Sequence, residues 1–121
     1  MSNQTIDDLD YQLYLSKNAN ELAHEKLDRK QDKLDKLEEN VYQFKTQLFS
    51  ILSDAVEKET SSTEIQYLYN LDDDLTEQFK LLEEGLADGK ESIKSEKKRL
   101  DYELDDIQDD YVRKLNELEE R

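Results

Sequence analysis

Residues 48–71 read LFSILSDAVEKETSSTEIQYLYNL, and this stretch decides the fold. Its apolar residues stop at Val56, a polar run extends from Glu57 to Thr63, and apolar residues resume at Ile65. On both sides of the polar run, apolar residues recur at intervals of three and four, the period of a helix with one buried side. Because so short a break has room only for a tight turn, the chain is predicted to double back here.

The two sides of this break carry one long apolar stripe each. Twelve of the fifteen upstream positions are apolar, and the residues between them are mostly charged or amide. The upstream positions are Ile6, Leu9, Leu13, Ser16, Asn20, Ala23, Leu27, Lys30, Leu34, Leu37, Val41, Phe44, Leu48, Ile51 and Ala55. The downstream stripe consists of Ile65, Leu68, Leu75, Phe79, Leu82, Leu86, Ile93, Leu100, Leu104, Ile107, Tyr111 and Leu118. Each stripe predicts a long helix with a narrow buried seam.

The sequence therefore predicts an all-α fold, an antiparallel two-helix hairpin (a coiled coil) with a short turn near residues 58–63. The helices are expected over about 5–58 and about 62–120, within a single domain spanning 1–121. Because the turn is short, the helices must pack side by side in opposite directions.

Local signals agree with these boundaries. Thr5 is a favourable N-cap for the first helix, and Ser61 with Glu64 offers a capping box for the second. Folding the chain about Thr60 then places Asn20 opposite Leu100.

Two irregularities interrupt the second stripe. Its spacing changes after Leu100, which predicts a stutter that locally unwinds the supercoil. Gly85 and Gly89 each lower helix stability by about 1 kcal/mol relative to alanine. The two glycines mark either a locally less stable part of the helix that the fold tolerates or a place where another helix comes close.

Composition limits the classes of function. Charged residues make up 40% of the chain, and the net charge of −15 disfavours binding to nucleic acid or to anionic lipid. The sequence has no cysteine, so disulfides and thiolate metal sites are excluded. It also lacks the long uncharged apolar run that a membrane-spanning helix requires. No nucleic-acid partner and no membrane association are predicted.

The sequence shows no recognisable arrangement of the residue types that catalysis needs. His24 is the only histidine, and the acidic runs at 72–74 and 105–110 do not match a calcium-binding loop. No phosphate-binding glycine loop occurs. The chain is predicted not to be an enzyme, with no catalytic residue, cofactor or metal.

Both ends of the hairpin are more apolar than a two-helix seam needs. A two-helix hairpin cannot cover such wide stripes, so a helical partner or self-association is expected at these places. The predicted partner-binding residues are Phe49, Leu52, Val56, Tyr67 and Tyr69 near the turn, and Tyr11, Tyr14, Tyr111 and Leu115 at the open end.

Two general interpretations of such a hairpin stay open. One is a prefoldin-like chaperone subunit, although the short turn leaves no space for the β-hairpins that those proteins insert between their arms. The other is a self-associating structural coiled coil that acts as a spacer or scaffold.

A third interpretation comes from a resemblance that covers roughly Leu22 to Leu118. It lies in the segment 48–56 before the turn, the aromatic patch 65–69 after it, and the tail from Glu96 through Asp105 and Asp106 to Tyr111. In these segments the chain resembles the small acidic helical proteins encoded beside LXG-type toxins of the bacterial type VII secretion system, distant relatives of the Trp-X-Gly helical hairpins. It departs from the latter in having no Trp-X-Gly at its turn.

That resemblance implies a function in export. The protein would bind the helical N-terminal region of an LXG-type toxin, together with a second small helical protein, as an adaptor and targeting chaperone. The secretion motif of such systems, a tyrosine followed four residues later by an acid, occurs at Tyr69/Asp73 and at Tyr102/Asp106. Tyr102 with Asp106, near the C-terminal end of the second helix, is the preferred candidate. The N-terminal sequence lacks the features of a cleaved signal peptide. A cytoplasmic location is therefore expected, and any export would use a route that does not read such a signal.

Overall fold

The computed structural model describes residues 5–120, which form two α-helices and the turn between them. Helix α1 spans Ile6–Lys58 and helix α2 spans Ser62–Glu119. The predicted all-α hairpin is confirmed, and both helices begin and end within one residue of the expected positions. Residues 1–4 and 121 of the predicted domain lie outside the described residues.

Helix α1 begins with a reciprocal cap. The Asp8 N–H donates to Thr5 Oγ1 at 3.1 Å, and the Thr5 N–H donates to Asp8 Oδ2 at 3.2 Å. Two N–H groups that have no partner inside the helix are satisfied in this way. The predicted N-cap role of Thr5 is confirmed.

The turn is held by side chains of the turn itself. The Glu64 N–H donates to Ser61 Oγ at 3.4 Å, which is half of the predicted capping box. The carboxylate of Glu59 accepts the N–H groups of Thr60 and Ser61, each at 3.0 Å. No described residue has a positive φ, which explains how the chain reverses here without a glycine.

The hairpin divides into two compact units, each built from both helices. Unit 1 combines Met1–Gln31 with Ser92–Arg121, and unit 2 is the continuous segment Asp32–Glu91.

The core of unit 1 contains one buried polar residue. Leu9, Ile93 and Leu100 are buried, and Leu9 is only 2% exposed. Asn20 is 4% exposed, and its Nδ2 donates to the backbone oxygen of Leu100 at 2.9 Å. The predicted pairing of Asn20 with Leu100 is confirmed, and this hydrogen bond satisfies an amide that would otherwise be costly to bury.

The core of unit 2 is aromatic. Leu52, Phe79 and Leu86 are buried. The Phe79 ring contacts the rings of Phe44 and Phe49, with centroid distances of 6.1 and 5.9 Å. These tilted ring pairs lie in the range that aromatic contacts prefer.

The predicted seam of α1 is wrong at alternate positions in unit 2. Leu37, Phe44 and Ile51 were expected in the seam, yet they are 46%, 59% and 63% exposed. Leu52 and the half-buried Lys45 face α2 instead. The aliphatic part of a lysine side chain can pack in an apolar seam while its ammonium group reaches water. A sequence pattern that counts lysine as polar therefore leaves Lys45 out of the seam and assigns Phe44 to it instead.

The spacing change in α2 lies earlier than predicted. From Ile93 the covered residues continue through the half-buried Lys97 to Leu100 and Leu104, at steps of four and three. No stutter therefore follows Leu100. The spacing changes instead near Gly89, where that residue and the next are both half-buried.

Candidate helix-binding surfaces

More large hydrophobic side chains are exposed than buried. Among residues 5–120, six hydrophobic residues form the buried core, whereas fifteen large ones are exposed. The exposed residues are Ile6, Tyr11, Tyr14, Leu15, Leu22, Leu37, Tyr42, Phe44, Ile51, Tyr67, Tyr69, Leu81, Leu82, Tyr102 and Val112. Exposed apolar groups in this number are candidates for contact with another protein.

One such surface lies in unit 2, along a shallow groove between α1 and α2. The groove has a volume of about 520 Å³ and is lined by Phe44, Leu48, Leu75, Gln78, Phe79, Leu81 and Leu82. Leu37 and Ile51 lie seven residues before and after Phe44 and therefore on the same side of α1. We call the groove together with Leu37 and Ile51 the Phe44 face.

The part of α1 that forms the Phe44 face is poor in charge. Residues 40–53 contain one charged residue, Lys45, in a chain of which 40% is charged. The Lys45 ammonium lies 2.8 Å from Glu83 Oε1, so this charge already has a partner. Depletion of charge beside aromatic side chains is the compositional mark of the centre of an interface.

The residues predicted near the turn fall into two groups. Tyr67 and Tyr69 are exposed and are available to a partner. Leu52 is 7% exposed and belongs to the core of unit 2. Phe49 and Val56 are half-buried, and the Phe49 ring packs on a core aromatic ring.

A second exposed apolar row lies on α1 in unit 1. Tyr11, Leu15 and Leu22 are 63%, 47% and 48% exposed. They are spaced by four and seven residues, so they share one side of the helix, and this side points away from the buried Leu9 and Asn20. We call these three residues the Leu15 row. Sequence reasoning included Tyr11 among the partner-binding residues but omitted Leu22.

The other residues predicted at the open end differ in exposure. Tyr14 is exposed, whereas Tyr111 and Leu115 are half-buried. The Tyr111 hydroxyl donates to Asp10 Oδ1 at 2.6 Å. This hydrogen bond to a carboxylate raises the pKa of Tyr111 above its ordinary value, because loss of the proton would put two negative groups side by side.

The candidate secretion motif is on the outer surface of α2. Tyr102 is 61% exposed, and Asp106, one helical turn later, is also exposed. Their four-residue separation puts them on the same side of the helix, so both can contact another protein at once.

Ion pairs connect the helices within each unit. In unit 1 the Lys97 ammonium lies 2.7 Å from Asp28 and, through that hydrogen bond, holds the pKa of the Asp28 carboxyl below its ordinary value. In unit 2 the Lys90 ammonium lies 2.8 Å from Glu38, and this hydrogen bond raises the pKa of Lys90. The two carboxylates are exposed and the two lysines are half-buried at the surface, so each pair adds little to stability.

The described part of the chain holds one histidine, His24, and no cluster of metal-ligating side chains. His24 Nε2 lies 3.3 Å from Asp101 Oδ1, on a partly exposed surface. No three metal-ligating side chains come together among residues 5–120. Neither described helix has an apolar stretch that could cross a membrane.

Comparisons with known proteins identify no relative. No protein-family model, no curated protein and no solved structure matches this chain.

Sequence reasoning missed most of the Phe44 face because it assigned Leu37, Phe44 and Ile51 to the seam. The charge-poor stretch 40–53 is the signal that could have revealed it. A helix that only pairs with one neighbour needs a narrow apolar stripe, whereas a wider uncharged surface indicates a second contact.

Proposed function

We propose that this protein is a non-catalytic helical adaptor. It binds the helical N-terminal region of an LXG-type toxin, together with a second small helical protein, and delivers the complex to type VII export. The single observation that carries the proposal is the surplus of exposed large hydrophobic residues over buried ones on a two-helix scaffold. The resemblance described above supplies the identity of the partner.

The Leu15 row is the surface on which we place the toxin helix. An amphipathic helix recognises a groove or row through side chains spaced by three, four and seven residues, and Tyr11, Leu15 and Leu22 have that spacing. Tyrosine and leucine bury large apolar areas, and the tyrosine hydroxyl stays able to bond with water at the edge of the contact.

The second small helical protein is placed near the turn. Tyr67 and Tyr69 are both exposed there, and because they are two residues apart in α2 they lie on different sides of the helix, so one partner helix contacts one of them. Aromatic residues at exposed positions of rigid helices are frequent anchors of binding energy.

Charge assists this function without supplying most of the affinity. With a net charge of −15, the chain attracts basic segments of a partner and repels other acidic proteins. Exposed carboxylates around the apolar rows therefore select and orient a partner helix.

Co-purification tests the proposal. The chain is expressed with the N-terminal helical segment of the LXG-type toxin that this proposal requires a neighbouring gene to encode, and the complex is isolated through a tag on the toxin segment. The wild-type chain is expected to be retained. Leu15→Lys combined with Leu22→Lys is expected to weaken retention at least about tenfold, because two charges would have to be buried at the contact.

Gln108→Lys is the matched control. Gln108 is exposed in the same unit, on the other helix, so the substitution adds a charge away from the Leu15 row. It should leave retention unchanged, and circular dichroism should show equal helicity for all variants. Failure of the wild-type chain to bind the toxin segment, with or without the second small protein, would refute the adaptor function.

A further inference from the structure

The Phe44 face presents apolar side chains to solvent without carboxylates in its α1 part. Phe44 and Ile51 are 59% and 63% exposed, and Leu82, which lines the groove with Phe44, is 44% exposed. A face of this kind gains free energy when a second apolar surface covers it, at about 25 cal/mol per Å² of apolar area removed from water.

The spacing of the residues on this face is symmetric. Leu37 and Ile51 lie seven residues to either side of Phe44 on α1. On α2, Leu71 and Gly85 lie seven residues to either side of Gln78, which lines the same groove as Phe44. Both helices are therefore symmetric about one level of the hairpin.

Because of this symmetry, the Phe44 face of a second copy, with its helices running in the opposite direction, can pack on the Phe44 face of the first. Leu37 of one copy meets Ile51 of the other, and Leu75 meets Leu82. Gly85 meets Leu71 of the second copy, and it has the space to do so, because no atom lies within 4 Å of the position that a Cβ would occupy at Gly85.

Charged residues beside the Phe44 face complement each other in the same antiparallel arrangement. Lys36 and Asp54 are separated by five helical turns, so they lie on the same side of α1. They are eight residues before and ten residues after Phe44. In an antiparallel pair of copies, Lys36 of one therefore comes within about 3 Å, measured along the helix axis, of Asp54 of the other. Two such pairs form, one at each end of the contact.

We propose that the Phe44 face is a homodimer interface, on which two copies of this chain pack antiparallel about a two-fold axis beside Phe44 and Gln78. This interface is separate from the Leu15 row, so it does not depend on the adaptor function. A two-fold contact uses the same patch on both copies, as the symmetric spacing requires.

Salt distinguishes a second copy from a foreign helix. Each copy carries a net charge of −15, so the two repel each other, and salt screens this repulsion. The homodimer should strengthen with added NaCl. A basic partner helix would instead be attracted by the acidic chain, and its binding should weaken with added NaCl.

Analytical ultracentrifugation of the full chain tests the proposal at protein concentrations from about 5 to about 500 μM, which cover the affinity expected of a small interface. The mass of the wild-type chain should rise from that of the 14.4 kDa monomer toward twice that value. The dissociation constant should fall when NaCl is raised from about 0.15 to about 0.5 M.

Substitutions locate the contact. Phe44→Lys and Ile51→Lys should each raise the dissociation constant at least about tenfold. Phe44 packs on the core ring of Phe79, so Phe44→Lys can lower helicity, whereas Ile51 is 63% exposed. The Ile51→Lys variant therefore tests the interface even if Phe44→Lys disturbs the fold. Tyr42→Lys is the control, because Tyr42 is 69% exposed on the same helix, on the side away from Phe44. This variant should dimerise as the wild type does.

A charge swap tests the antiparallel register. Lys36→Asp alone should weaken the dimer, and combining it with Asp54→Lys should restore it. A wild-type chain that stays monomeric at all concentrations and both salt levels would overturn the proposal. Equal weakening by Tyr42→Lys, or no restoration by the swap, would overturn the assigned interface. Loss of toxin binding would leave all these results unaffected.

Discussion

Asn20 shows how a single residue sets the pairing of two long helices. It is the one buried polar residue among those described, and its amide donates to the Leu100 backbone oxygen. A buried amide in an apolar seam tolerates only the register in which it finds its partner, so it specifies alignment at some cost in stability. The apolar stripe alone would allow the helices to slip by a heptad.

Asn20→Asp should therefore destabilise the protein strongly at neutral pH. The new carboxylate would be buried beside a carbonyl oxygen to which it cannot donate, at a cost of about 3 kcal/mol. Burial raises the pKa of the introduced carboxyl, so the lost stability should return as the pH falls through that raised pKa. Thermal unfolding at pH 7 and near pH 4 measures both effects.

Asn18→Asp is the matched control, because Asn18 is exposed two residues away. It should change the unfolding temperature little at either pH. An equal loss of stability in both variants would mean that the amide of Asn20 contributes nothing specific.

Prediction from the sequence succeeded for whole helices and for most of the seam, and it failed at several seam positions of α1, among them Leu37, Phe44 and Ile51. The boundaries of α1 and α2 follow from caps and from a polar break, which are local signals. Which side of a helix is covered depends on the partner helix, and Lys45, Lys90 and Lys97 lie half-buried in places that a hydrophobic pattern leaves out. Leu52 was thus predicted to bind a partner although it is in the core.

The two glycines of α2 differ in their surroundings. A Cβ at Gly85 would have no neighbour within 4 Å, whereas a Cβ at Gly89 would lie 3.2 Å from Leu34 Cδ1. The first glycine is free of any packing requirement inside the hairpin, and the second adjoins a leucine that would have to move.

Gly85→Ala should raise the free energy of unfolding by about 1 kcal/mol, because alanine favours the helix. Gly89→Ala should give a smaller gain or none, since moving Leu34 offsets part of it. Urea unfolding of both variants at low protein concentration, where the monomer predominates, measures the difference. A larger gain at Gly89 than at Gly85 would contradict the local packing described here.

At the scale of the whole molecule, charge opposes folding. A net charge of −15 concentrates repulsion when the chain becomes compact, and the exposed ion pairs offset only a small part of it. The helices persist because their seams are apolar and their N-terminal ends are capped.

Raising NaCl from about 0.02 to about 0.3 M should therefore increase the unfolding temperature, since the screening length shortens across this range. A gain of about 1 kcal/mol corresponds to an increase of about 4 °C for a domain of this size. Scans of the Ile51→Lys variant at low concentration exclude a contribution from dimers. A decrease with salt would show that attractive ion pairs dominate.

The division of the hairpin also determines the order in which its parts form. Unit 2 is an unbroken segment that contains the turn, so its contacts close short loops, whereas unit 1 must bring together opposite ends of the chain. Loop-closure entropy is smaller for the first, and contacts near in sequence form faster. The two helices should thus pair first beside the turn and then progressively toward the termini, and they should separate first at the termini. A force applied at either end of the chain would therefore act on unit 1 before unit 2.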